Sequence, residues 1–150
     1  MITLEKPSEN LGGLLKIWAV PPSDILVSQF NVEILSKENI LEFYHTPETM
    51  EFSEQDQSTD AGLSFDVELT AFIPKQCMEN QVAINLLQGR KWIVIFLDQN
   101  ENYRVVGTNQ IPMRFSCQAT TGKAIADLNG QTITFHSKQL KRSMLISNPF

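Results

Sequence analysis

The chain has two cysteines and two histidines among 150 residues, too few for a self-contained Cys/His zinc site. Long hydrophobic runs are also missing. The longest unbroken apolar stretch is Trp92 to Leu97, whereas a membrane-spanning helix needs about 20 residues. Basic residues are in deficit, with twelve Lys and Arg against seventeen Asp and Glu for a net charge of -5. That balance argues against a protein that holds nucleic acid by bulk phosphate neutralisation. The start Met1-Ile2-Thr3-Leu4-Glu5-Lys6-Pro7 has no basic segment leading into an apolar one, so no secretory leader is expected. No Asn is followed two residues later by Ser or Thr, so there is no glycosylation acceptor. A leaderless chain made in a reducing cytoplasm predicts that Cys77 and Cys117 are free, buried or half-buried thiols.

What is present is core-forming material: 42% of residues are hydrophobic and 19% charged, the composition of one folded domain over residues 1–150. Polar residues 1–10, with Pro7, are expected to form an N-terminal arm. Leu14 to Val20 is apolar at both alternating sets of positions, which predicts a strand covered on both faces. Pro21-Pro22 ends it, and Ser23 and Asp24 suit the cap of a single helical turn. Further strands are expected near 30–35 and 40–45. The clearest alternation follows Gly62: Leu63, Phe65, Val67 and Leu69 on one face, Ser64, Asp66, Glu68 and Thr70 on the other. One helix is expected over about 77–88, with Met78, Val82 and Leu86 spaced four apart, Ala83 and Leu87 widening the stripe and Gly89 at its end. That stripe is expected to lie on a sheet. Lys91 to Asp98 reads as a central strand and returns through Asp98-Gln99-Asn100-Glu101-Asn102 into Tyr103 to Gly107. Strands over 111–120 and 132–136 follow, with Asn129-Gly130 as a type I′ turn signal, and a short last strand near 144–146. The reading is mainly β: an antiparallel sandwich or barrel of about seven or eight strands with one packed helix.

Residues 46–61 break the pattern. Glu51, Glu54, Asp56 and Asp60 make them acidic, and Met50 and Phe52 are the only large apolar residues there. They are expected to form a long acidic loop, read either as a solvated strand end and loop or as a loop that orders against a neighbouring subunit with Phe52 as anchor. The stretch Lys138 to Arg142 is basic and suits a solvated strand end or a contact with an acidic partner patch. The candidate interface residues are therefore Phe52, Glu54, Asp56, Asp66, Glu68, Lys138, Lys141 and Arg142.

Sequence motifs for catalysis are absent. No phosphate-cradling loop is found, since Gly107-Thr108-Asn109-Gln110 lacks the Gly-Lys-Ser/Thr ending, and no serine sits in a Gly-x-Ser-x-Gly elbow. Asp66 and Glu68 stand about 7 Å apart on one strand face, a spacing shared with glycosidase pairs and equally with a solvated polar face. Cys77, Cys117, His45 and His136 supply the types for a thiol–imidazole pair; packing roles are expected for Cys117 and surface roles for the histidines. No catalytic residue, metal or cofactor is assigned.

The order of these features resembles that of small structural proteins of tailed-phage and prophage virions, of the tail-tube-like, tail-completion or head–tail connector type. The resemblance spans about residues 12–136. It runs through Gly62-Leu63-Ser64-Phe65, the helix Met78 to Leu87, the Trp92 to Gly107 hairpin and the ending from Thr121-Gly122 to Asp127-Leu128-Asn129-Gly130-Gln131-Thr132-Ile133-Thr134-Phe135. It implies a non-enzymatic subunit, assembled in the host cytoplasm into a virion, that forms rings or tubes with copies of itself. Its partners would be other virion proteins. It would let DNA pass without specific binding, and its edge strands would be consumed by assembly. Two other readings stand beside it. One is a β-rich module binding a small molecule, glycan or protein in a pocket lined by Trp18, Trp92 and Tyr103. The other is an enzyme using Asp66 and Glu68, or Cys77 and a histidine.

Overall fold

A computed structural model describes residues 2, 10–43, 45–46 and 48–150. The N-terminal arm expected over 1–10 lies outside the described residues apart from Ile2 and Asn10. The strands are β1 (Leu14–Val20), β2 (Ile25–Val27), β3 (Val32–Ile34), β4 (Leu41–Glu42), β5 (Glu51–Thr59), β6 (Gly62–Pro74), β7 (Lys91–Asp98), β8 (Tyr103–Val106), β9 (Met113–Thr120), β10 (Gly130–Gln139) and β11 (Met144–Ile146). The helix α1 (Met78–Leu87) separates β6 from β7. The fold is mainly antiparallel β with one helix, as expected, although the strands are more numerous than the alternation suggests.

Nine strands form one bent sheet. Its backbone order is β11-β8-β7-β9-β10-β6-β5, with β1 on the other side of β7 and β4 beyond β1. The bend falls where β7 hands over to β9, joined only through Lys91 opposite Arg114 and Trp92 opposite Met113. The two halves then face each other. Ile17, Ala19, Trp92, Val94 and Phe96 from one half meet Phe65, Val67, Leu69, Ile133 and Phe135 from the other in the main core. The outward residues of the first half, Trp18, Val20, Ile93, Ile95 and Val105, make a second core under the β2–β3 hairpin, where Ile25 is fully buried. Strands β1 and β7 are thus buried on both faces, as their uninterrupted apolar sequences predict.

Asn109 fastens that hairpin. Its Nδ2 donates to the carbonyls of Pro22 at 2.8 Å and Ile25 at 2.7 Å, and its Oδ1 accepts from the Val27 N–H at 2.9 Å. Strand β2 replaces the single helical turn expected after Ser23 and Asp24.

Three further expectations are corrected. The acidic segment is a turn followed by strand β5, not a long loop. It pairs with β6 from Glu51 opposite Thr70 to Thr59 opposite Gly62. Only Phe52 marks its inner face as apolar, because an edge strand ladders to one neighbour and tolerates polar side chains. The helix stripe is also turned. Met78, Val82 and Leu86 are exposed, at 80%, 56% and 46%, while Ile84 and Leu87 are buried. The Trp92 indole N–H donates to the Leu87 carbonyl at 3.0 Å, and this anchor at the helix end decides which face meets the core. Gly89 follows with φ +71°, in the terminating role expected of it. Finally, Asn129-Gly130 is no type I′ turn. Gly130 lies opposite Thr120 and already pairs with Pro74. The connection is therefore the whole segment 121–129, closed by Asp127, whose carboxylate accepts from the Lys123 and Ala124 N–H groups at 2.7 and 2.8 Å.

Candidate interaction surfaces

The polar face of β6 is the outer face of the four-stranded half-sheet β5-β6-β10-β9. Registration sets its rows. Ser53, Glu68, His136 and Arg114 lie side by side across the four strands, and Gln55, Asp66 and Lys138 form the next row. Asp66 Oδ1 lies 2.7 Å from His136 Nε2 and accepts its proton in the tautomer protonated there. Asp66 and Glu68 do share a face, with Glu68 the more exposed. That face is mixed in charge rather than acidic, because β10 and β9 bring His136, Lys138 and Arg114 alongside.

Of the other sequence-derived interface residues, Phe52, Glu54, Asp56 and Arg142 are engaged within the chain. Phe52 turns inward against Phe96, with ring centroids 4.8 Å apart, and the Arg104 guanidinium lies 5.7 Å from its ring. Glu54 and Asp56 share that inner side of β5. Glu54 Oε2 accepts from the Ser143 N–H at 2.7 Å, and Asp56 lies 3.6 Å from Arg142. The acidic segment and the basic end of the chain therefore meet in the same copy. Lys138 stands apart on the outer face. Lys141 separates two adjoining grooves of about 310 Å³ each, both bordered by Val27, Ser28, Gln29, Thr108 and Gln139.

The aromatics expected to line a pocket do not do so. Trp92 is in the core at 3% exposure, and Trp18 stacks on Tyr103 at 6.0 Å and packs on Phe150 at 4.7 Å. Cys77 and Cys117 are free thiols, both half-buried. Burial pushes the Cys117 thiol up from its ordinary value, and burial likewise lowers His45. No cluster of three or more His, Cys, Asp or Glu suited to a metal ion occurs among the described residues. No helix of the described residues is long and apolar enough to cross a membrane.

The least expected features are two unlike sheet edges. Strand β5 ladders only to β6, so its second edge is open along Glu51–Thr59. At the far side of the same half-sheet, β9 leaves β7 after Arg114, and its edge is open from Phe115 onward except where Gln76 Nε2 donates to the Thr120 carbonyl at 3.1 Å. The acidic composition of 51–59 marks an edge of this kind, a signal that a strand search by apolar alternation passes over.

Fold and surfaces together define a mainly antiparallel β protein with a doubly open half-sheet. No family model, no curated protein and no solved structure matches the chain.

Proposed function

We propose that the chain is a non-enzymatic structural subunit that associates with copies of itself, edge to edge, into rings or tubes. The observation that carries this reading is the pair of unlike open edges on one half-sheet. A contact between β5 of one copy and β9 of the next is heterologous, so it propagates into a ring if the rotation closes and into a filament if it does not. Charge favours this pairing over its competitor. Two β5 edges laid together would bring one acidic strand against another, with Glu51, unpaired among the described residues, on each, whereas β9 carries Arg114 as its only charged residue. The resemblance to tailed-phage structural proteins extends the proposal to a tail or head–tail connector component of a virion, assembled in the host cytoplasm with other virion proteins. In such a particle DNA would pass by it without a dedicated site.

Sedimentation velocity on purified protein tests the contact. Ser116→Asp with Gln118→Asp places acids on the exposed outer face of β9 and leaves the core untouched. The expected result is association at micromolar concentration that weakens at least about tenfold in the double variant, in line with the cost of like charges at a contact. A wild-type chain that stays monomeric into the high micromolar range, or association unchanged by the double variant, rejects edge-to-edge assembly.

A further inference from the structure

Basic side chains are scarce in this protein, yet four of the groups able to carry positive charge gather at one point of the outer face. Lys91 lies opposite Arg114, and Arg114 lies opposite His136, so three strands supply one row. Directly opposed residues stand about 5 Å apart. Lys138 is two residues along β10 from His136, about 7 Å away on the same face. These four side chains, with Gln110, Ile111, Pro112 and Ser137, line a cavity of about 410 Å³. Among the described residues, none of Lys91, Arg114 and Lys138 is in an ion pair. All four side chains are exposed, and His136 is held by Asp66 at 2.7 Å, so an anion entering this space meets three cations free to turn toward it.

The rim is set in advance. Gln139, itself 4% exposed, donates from Nε2 to the Ile111 carbonyl at 2.7 Å, and the Ile111 N–H donates to Thr108 Oγ1 at 3.0 Å. These bonds hold segment 110–112 beside β10, so the cavity wall does not have to be built when a ligand arrives.

We propose that this cavity is a binding site for a small phosphate-bearing anion, a pyrophosphate or phosphomonoester. The planar Arg114 fork would take two oxygens of one phosphate, with Lys91 and Lys138 as point charges on either side. The charge pattern bounds the ligand. One strand beyond His136 the row passes to Glu68, and Lys138 lies opposite Asp66. A nucleic-acid strand laid along the face would run from cations onto carboxylates, and the net charge of -5 repels an extended polyanion. A compact phosphate meets only the basic part. The cavity lies within one copy and shares only Arg114 with the assembly reading, so pyrophosphate binding is read whether or not copies associate.

Isothermal titration of the full chain with sodium pyrophosphate, at constant ionic strength against a chloride blank, tests the site. The expected result is saturable binding at one per chain. Arg114→Gln should weaken it by about tenfold to a hundredfold, as for a lost charge-assisted hydrogen bond. Lys138→Gln should weaken it less, and Lys37→Gln, outside the cavity, should leave it unchanged. Amide spectra of each variant establish that the fold is intact. Absence of saturation at 10-millimolar-scale pyrophosphate (about the weakest affinity a built site would show) overturns the proposal. So does binding indifferent to Arg114→Gln, or a single-stranded DNA oligomer that binds more tightly than pyrophosphate at matched salt.

Discussion

Asp127 illustrates how much a single exposed side chain can organise. Its carboxylate closes the 121–129 connection by accepting from two backbone N–H groups, and the bonds from Ala124 and Lys123 hold its carboxyl below the ordinary value of 3.8. A carboxyl lowered in the folded state contributes stability that is present above the unfolded value and lost as pH falls through the folded one. The amide proton shifts of Lys123 and Ala124 should therefore titrate together, with a common midpoint below 3.8. In Asp127→Asn they should no longer titrate. A midpoint at or above 3.8 would show that the carboxylate does not make these bonds in solution. Other residues that position the fold are just as polar. Asn109, which fastens the β2–β3 hairpin, sits in a stretch whose only sequence signal was a phosphate loop it does not complete. Hydrogen bonds that cross more than 80 residues leave no local pattern to read.

At the level of elements, legibility followed burial. Strands β1, β6 and β7 stand out because apolar periodicity reports a covered face, and the fold class follows from them. Strand β5 was unreadable by the same criterion. Its inner positions run Phe52, Glu54, Asp56 and Ser58, and nothing but the nine-residue ladder to β6 makes it a strand. The helix spans Met78–Leu87, within a residue at each end of its sequence pattern, but a different face of it meets the core. The spacing of Met78, Val82 and Leu86 carries no information on where Trp92 will anchor Leu87. Gly130 is a third case, since local turn chemistry yields to close strand packing. A Cβ at that position would sit 2.4 Å from the Ile73 carbonyl oxygen and 2.5 Å from Phe72 Cζ. Because backbone cannot yield as a flexible side chain does, Gly130→Ala should destabilise the fold by about 1–3 kcal/mol through overpacking. Chemical denaturation would measure it. A neutral effect would mean that β6 and β10 are less tightly apposed at this end.

For the whole molecule, the distribution of charge matters more than its sum. The pairing of Asp56 with Arg142 and the bond from the Ser143 N–H to Glu54 use the acidic segment within one copy. Electrostatics between copies is left to Glu51 on the β5 edge and Arg114 on β9. Exposed charges at such a contact are screened over about 10 Å at 0.1 M salt, so self-association should weaken as salt rises from about 50 to 500 mM. Light scattering across that range checks it, and association strengthened by salt would point to the exposed Met78, Val82 and Leu86 side chains instead. The surfaces were only half legible in advance. The right acidic residues stand out by composition, but whether they face another copy or their own C-terminal segment depends on strand register, which composition does not contain.

Strand β7 has a bearing on how the chain comes to fold. It pairs with β1 from far upstream, with β8 across a tight hairpin and with β9 just downstream, and it contributes to both cores. The β5–β6 and β7–β8 hairpins can close locally, yet neither core exists until Trp18 has found Ile95 and Ala19 has found Val94. Closing so long a loop before any of its contacts are gained makes the search slow, on the scale of milliseconds to seconds for sheets dominated by distant partners. The β5–β6 hairpin needs no distant partner, so its edge can form during that interval, before its neighbours do. The acids along it then keep half-folded copies apart, so the residues that shape the proposed assembly also protect the chain before it is ready to assemble.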